Sequence, residues 1–331
     1  MKKFFAKKFL VLSLSRSLAL FLLTLLLTYS LTLCLYAKGA GTTTAAFLKI
    51  GVGGRNIAMG EIGAASTDVN SVYWNPAGLN SLKSKEVSLM HAVWFQEINF
   101  EHAAFGYPTK YGTFGIGLNY LSMSAIDMYD VNDTALNDTY KPYDMAGTIS
   151  YAREVYDVPV GVNVKYIYSK IEKEEAWAVA GDIGCAYDGI EVMGQKLRLG
   201  FVLQNLGTKM KFVSVGNDLP FNIKFGCSYS FINKAPNYLL TAVDFNLPVD
   251  NKARVNVGAE YTRKVSKDIY ISGRAGYKTN IEGLAEISGL TAGAGFRFAD
   301  YGVDYAWVPF RGTDGFGDLG DTHRVSLGVK F

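Results

Sequence analysis

From Glu86 to the C terminus, apolar and polar side chains alternate with a period of two. Ala253, Val255, Val257, Ala259 and Tyr261 share one face, and Arg254, Asn256, Gly258, Glu260 and Thr262 the other. Phe221, Ile223, Phe225, Cys227 and Tyr229 alternate with Asn222, Lys224, Gly226 and Ser228, and Leu290, Ala292, Ala294, Phe296 and Phe298 with Thr291, Gly293, Gly295 and Arg297. Such alternation predicts strands with one face in each of two environments. Fourteen segments qualify: 86–94, 98–106, 112–121, 143–151, 158–169, 176–187, 196–204, 220–230, 237–245, 253–262, 268–277, 289–298, 300–307 and 322–331. Most have the length a tilted strand needs to cross a bilayer, and the count is even, as single-chain bacterial barrels require. The expectation is an all-β fold, a 14-stranded antiparallel transmembrane β-barrel over 86–331.

The connections separate by length. If the last strand ends at the periplasmic side, 122–142, 205–219, 278–288 and 308–321 lie outside, and the short 107–111, 152–157, 263–267 and a tight turn at Ala299 lie inside. Short periplasmic turns opposite long outer loops are the asymmetry of outer-membrane barrels, and a soluble sandwich has no reason to sort its loops so. A soluble barrel would turn its apolar set inward; a membrane barrel turns it to lipid, and only a closed sheet satisfies its backbone there. The chain ends on alternating Val325, Leu327 and Val329 and a terminal aromatic, Phe331, an outer-membrane assembly signal of the kind that barrel-assembly machinery reads.

Residues 41–85 break the pattern. They are polar and Gly-rich, running Gly51 to Gly60, Glu61 to Asn70, then Ser71-Val-Tyr-Trp-Asn-Pro-Ala-Gly-Leu79. Asn75 is placed to cap a short helix with Pro76 at its first position, and Gly78 to permit a turn soon after. The segment is too small for its own domain. A fourteen-strand ring has a wide bore, so the segment is expected as a plug, or hatch, inside it. Arg55 with Glu61 or Asp68 could form ion pairs pinning it to the wall, since desolvated charge is costly unpaired.

The run Gly53 to Leu79, with Arg55, Met59-Gly60, Asp68 and Asn75-Pro76-Ala77-Gly78-Leu79, resembles the PorV/PorQ-type branch of the FadL-like outer-membrane proteins. Gly53, Arg55, Gly60, Asp68, Asn75, Pro76 and Gly78 are the hatch residues so marked, in a structural or gating role. The resemblance implies two functions. Transporter-like members pass small hydrophobic molecules through the lumen and out sideways at a strand kink. PorV-like members are outer-membrane components or shuttles of the type IX protein secretion system, with secreted cargo proteins as partners. A soluble secreted β-protein is the third reading.

The N terminus is of another kind. Lys2, Lys3, Lys7, Lys8 and Arg16 precede an uncharged run from Leu18 to Leu35, then Tyr36-Ala37. Residues 1–37 read as a signal peptide cleaved near Ala37, exporting the protein to the bacterial outer membrane. The run is also long enough for a retained anchor. All five of those positive charges are lost with it and none of the 30 acidic side chains is, so 28 of the 33 basic residues remain and the net charge turns to −2. Nucleic-acid binding loses its support. Glycine (35) and the 14% of aromatics suit a sheet with aromatic girdles. Cys185 and Cys227 read as packed or lipid-facing thiols.

No catalytic, cofactor-binding or metal-binding set emerges, and the chain is not expected to be an enzyme. His91, His102 and His323 fall in different strands without a carboxylate or cysteine at ligand spacing. Gly115-Ile-Gly117 lacks the third glycine of a dinucleotide loop. Asp127, Asp130, Asp133 and Asp138 in one loop, and Asp314, Asp318 and Asp321 in another, do not have EF-hand spacing and read as solvated surface charge rather than calcium ligands.

Overall fold

The computed structural model describes residues 39, 41–94, 98–130, 132–280, 285–312 and 320–331. The expected leader, 1–37, lies outside the described residues. Fourteen strands form one ring: β1 Glu86–Val93, β2 Asn99–Thr109, β3 Gly112–Ser122, β4 Tyr143–Val155, β5 Val158–Ile171, β6 Glu174–Val192, β7 Gln195–Gly207, β8 Asn222–Lys234, β9 Asn237–Pro248, β10 Arg254–Lys264, β11 Ile269–Lys278, β12 Leu290–Phe298, β13 Tyr301–Phe310 and β14 Gly320–Lys330. Each pairs antiparallel with its neighbour in sequence, and β14 closes on β1, Lys330 opposite Glu86 and His323 opposite Val93. The fourteen strands are those the alternation predicts. Several run past the predicted ends, β6 by two residues at its start and five at its close, because paired arms continue beyond the lipid-facing stretch.

Which face meets lipid is settled by exposure. Ile149 is 68% exposed and Ile116 59%, whereas Arg324 is 1% and Lys224 3% exposed. Apolar side chains therefore point out of the ring and charges into it. Cys185 and Cys227 are unbonded thiols on the outward face. Outward aromatics gather toward the strand ends, as in Tyr120, Tyr143 and Tyr168 at one rim and Phe114 with Tyr151 at the other.

One rim carries tight turns: Lys110–Tyr111, Tyr156–Asp157, Met193–Gly194 and Ala299–Asp300, several with left-handed residues (Tyr156 φ 51°, Asp157 φ 64°, Ala299 φ 51°). The other rim bears the long connections 123–142, 208–221 and 279–289. The asymmetry is incomplete, since Glu172–Lys173 and 249–253 on that rim are also short. The 123–142 loop holds its own hairpin, Ile126–Tyr129 with Ala135–Tyr140.

Residues 45–82 are mostly buried. They form two short helices, α1 Gly54–Ala58 and α2 Ser71–Trp74, and two 3-10 turns, Ala46–Lys49 and Pro76–Ser81. Their partners lie all round the ring: Gly53 N–H on Met90 of β1, Val72 O under Asn163 of β5, Gly63 N–H on Asp244 of β9, Gly54 N–H on Ser326 of β14. Only a segment inside the ring can meet opposite walls in this way, so the segment fills the bore. The wall is thinned to receive it. A Cβ at Gly115 would lie 2.8 Å from Val72, and Cβ atoms at Gly161, Gly258 and Gly276 would collide with Pro76–Ala77, Met59 and Gly60.

The hatch has a direction. At its start, Thr43 and Lys49 bond Asp250 and Thr44 N–H bonds Asp218 O, both on the long-loop rim. At its end, Lys85 exchanges two backbone hydrogen bonds with Phe331 on the tight-turn rim (3.1 and 2.9 Å). The segment crosses the bore from loops to turns before the first strand begins.

Candidate functional site

The site is the interface between hatch and wall. Arg55, on α1, puts its guanidinium fork on Glu260 of β10 at 2.7 and 2.9 Å and reaches Asp68 at 3.4 Å. Glu260 also accepts from Arg274 at 2.5 Å, and Arg274 binds Asp304 at 2.7 Å. The result is one chain of alternating charge, Asp68, Arg55, Glu260, Arg274, Asp304, tying the hatch to three strands. Glu260 beside it raises the Arg55 pKa further above its ordinary value, outweighing burial. Arg55 meets Asp68 but not Glu61. Glu61 instead binds Lys278 of β11 at 2.9 Å. Burial opposes its ionisation, but Lys278 and Arg324 outweigh that and hold its pKa at about 2.

Asp68 serves a second end: its other oxygen accepts from Asn70 N–H at 3.0 Å, shaping the turn into α2. Gly53 (φ 77°) and Gly60 (φ 78°) hold left-handed backbone at the two ends of α1, where a side chain would be strained. Asn75 is 1% exposed and uses both ends of its amide. Its oxygen accepts from Ala77 N–H at 3.1 Å, capping the 3-10 turn that opens on Pro76. Its nitrogen faces three carbonyls: Ala64 (2.6 Å) and, across the gap, Cys185 (3.2 Å) and Phe201 (3.4 Å) on the wall. Gly78 lies within that 3-10 turn, where a Cβ would collide with Ser66 O and Ser71 Oγ.

At the chain end, Val325 and Leu327 face outward, and Phe331 stacks on Phe105 (6.5 Å) under the Lys85 ammonium (5.9 Å). The seam of the ring is thus clasped at its turn rim.

Two features escape sequence reading. The loop-side half of the bore is apolar along β1, β2 and β13: Phe47, Leu48 and Val52 of the hatch pack with Phe100, Met210 and Val308, flanked by Trp94 and Phe310. The inward residues Ala176, Ala178 and Ala180 belong to this cluster, so alternation there separates lipid from a second apolar region, not from water. The other feature is a recess of about 50 Å³ between α2 and strands β7 to β10. The ring is closed, with register shifts at Gly181–Ile183 and Tyr187–Ile190 between β6 and β7 and at Ser230–Ile232 between β8 and β9, and a depression of about 320 Å³ lies over Leu89, Ala103, Leu118 and Leu327.

The histidines do other work. His91 pairs with Glu101 (2.7 Å) outside the wall, His102 with Asn119 (2.6 Å) inside it, and His323 with Tyr305 (2.7 Å). Asp130 closes a turn on the N–H groups of Asn132 and Thr134. Asp314 and Asp318 lie outside the described residues.

With this geometry in view, residues 36–253 match the family model of type IX secretion system protein PorV. No curated protein sequence matches. Among solved structures, the fold is similar to the toluene transporter TbuX of Ralstonia pickettii (13% identity, 85% of this chain and 98% of that one, TM-score 0.57). It is also similar to the toluene transporter TodX of Pseudomonas putida (11%, 84% and 96%, 0.55) and to the monoaromatic hydrocarbon channel CymD (12%, 85% and 98%, 0.55). Likeness at these identities establishes the fold alone.

Proposed function

The chain belongs to the PorV family, and from that premise we propose that it is an exported outer-membrane barrel whose outer half-bore takes up small hydrophobic molecules. The observation carrying this reading is the apolar cluster around Phe47, Leu48, Phe100, Met210 and Val308, set between hatch and wall on the loop side. A bore serving only ions or sugars would keep water-facing side chains there. The turn-side half is filled by hatch backbone against wall glycines, so a guest entering from outside meets the apolar region first. The toluene transporters of like fold support the choice of guest class. The reading is one of binding and passage, not catalysis.

Export through a leader cleaved near Ala37 is supported by the hatch direction: Thr43 and Thr44 sit at the loop rim, on the far side of the outer membrane from any inner-membrane anchor. Insertion by the barrel-assembly machinery is supported by the outward Val325 and Leu327 and the terminal Phe331.

Displacement of an apolar fluorescent probe by toluene, on folded barrel in detergent, tests the main reading. Wild-type protein is expected to bind saturably and Leu48→Glu to bind at least ~10-fold more weakly, since it buries a charge in the cluster. Equal binding by both would refute it.

The family match favours a second reading, a component or shuttle of type IX secretion that holds cargo proteins at its outer rim. The hairpin 126–140 exposes Ile126, Tyr129 and Leu136 there. Replacing the hairpin with a short polar turn should abolish cargo co-purification while probe binding persists. Unchanged co-purification would remove that reading.

A further inference from the structure

The recess between α2 and strands β7 to β10 is built of groups that hydrogen-bond poorly to one another. Lys224 is 3% exposed, and its ammonium forms no hydrogen bond among the described residues. Its nearest carboxylate, Asp244, is 4.0 Å away and already holds the Gly63 and Ala64 N–H groups; its other neighbour is the Trp74 ring face at 4.3 Å. Arg254, also lining the recess, makes no ion pair or side-chain hydrogen bond among the described residues. Asn246 and Asn256, 6% and 4% exposed, leave an amide nitrogen and an amide oxygen without a partner, and Asn222 and Asp244 each leave one oxygen so. An amide can turn either its NH2 or its oxygen to a guest.

Charge is unbalanced in the same direction. Lys49, Lys224, Arg254, Lys278 and Arg324 surround this part of the bore, against Glu61, Asp244 and Asp250. Two of the three carboxylates are taken up by Lys49 and Lys278. A desolvated ammonium whose one carboxylate neighbour stands at 4.0 Å is costly and draws a closer anion in.

Size then selects the guest. A volume of about 50 Å³ holds a few water centres, each needing roughly 10–15 Å³, and is well below the roughly 150 Å³ that takes up a benzene ring. We infer that the recess is a binding site for one small monoanion, of halide to short-carboxylate size, held by Lys224 and Arg254 with Asn246 completing the shell. The anion would lie against the Trp74 edge of the hatch and join α2 electrostatically to β8 and β10. The inference does not depend on hydrophobic uptake, although Leu48, Tyr73 and Trp74 border both the apolar cluster and the recess.

The probe is sodium bromide, titrated into folded wild-type barrel at constant ionic strength with gluconate as the balancing, oversized anion. Bromide is expected to quench a saturable component of tryptophan fluorescence that Trp74→Phe removes and that Lys224→Met weakens at least ~10-fold. Crystals grown in bromide should give an anomalous peak beside Lys224. If Lys224→Met does not fold, the half-buried Arg254→Gln gives the same comparison. Quenching that stays linear and equal in wild type and variants, or a recess containing water only, would overturn the inference.

Discussion

Glu260 is the residue on which the anchoring of the hatch converges. It accepts from Arg55 on one side and Arg274 on the other, at 10% side-chain exposure. Removing its charge leaves two guanidinium groups facing each other in the bore. Breaking one partner of a buried pair costs about 3–5 kcal/mol, so Glu260→Gln should lower the unfolding free energy of the purified barrel by that order in urea titrations. Glu61 makes a pH-dependent contribution of known sign. Its carboxyl titrates at about 2 in the folded chain against 4.5 ordinarily. The stabilisation it gives is complete above the ordinary value and is lost as pH falls through the folded one. The stability gap between wild type and Glu61→Gln should therefore be constant from pH 7 to 5 and shrink steadily toward pH 2. A gap that widened on acidification would contradict the assignment. These partners could not be read from sequence. Arg55 and Glu61 are visibly charges in a Gly-rich run, but Glu260 and Lys278 stand some 200 residues away among many inward charges of the same appearance.

Among elements, the 3-10 turn Pro76–Ser81 is fitted closely to the strands behind it, where a Cβ at Gly161 would collide with Pro76 and Ala77. Asn75 both opens the turn and ties it to β6 and β7. Asn75→Ala removes the cap and three donor contacts, for a loss of about 1–3 kcal/mol. The variant, alone or with Pro76 replaced, should change solute uptake into proteoliposomes while its strands keep their heat resistance on a gel. Normal uptake by a folded variant would leave Asn75 without a gating part. The cap was legible, because Asn-Pro before a short apolar stretch is a local signal. The strands were legible for the same reason: period-two alternation is written in neighbouring residues. The close approach at Gly78 was not legible, because contact of its backbone with Ser66 and Ser71 is a tertiary fact that the glycine itself does not spell out. The apolar half-bore was hidden because alanines at 176, 178 and 180 look like lumen spacers when their neighbours across the bore are unknown.

For the whole molecule, the sidedness of the rims is open to direct test. In a background without Cys185 and Cys227, Thr42→Cys lies beside the loop rim and Lys110→Cys at the turn rim. An impermeant maleimide added to intact cells should label the first and not the second; the reverse pattern would invert the topology. Deleting Phe331 removes its stack on Phe105 and its pairing with Lys85, and should lower the yield of folded barrel in membranes, measured as the heat-modifiable fraction. The direction of the hatch also constrains the order of events in folding. Because Lys85 leads straight into β1 while Thr43 sits at the opposite mouth, a ring that zipped shut first would have to be threaded afterwards by its own free tail, past glycine-lined walls that leave no clearance. Sealing of the first strand to the last is therefore expected as the closing stitch, sewn after the core of the tube is already laid in place.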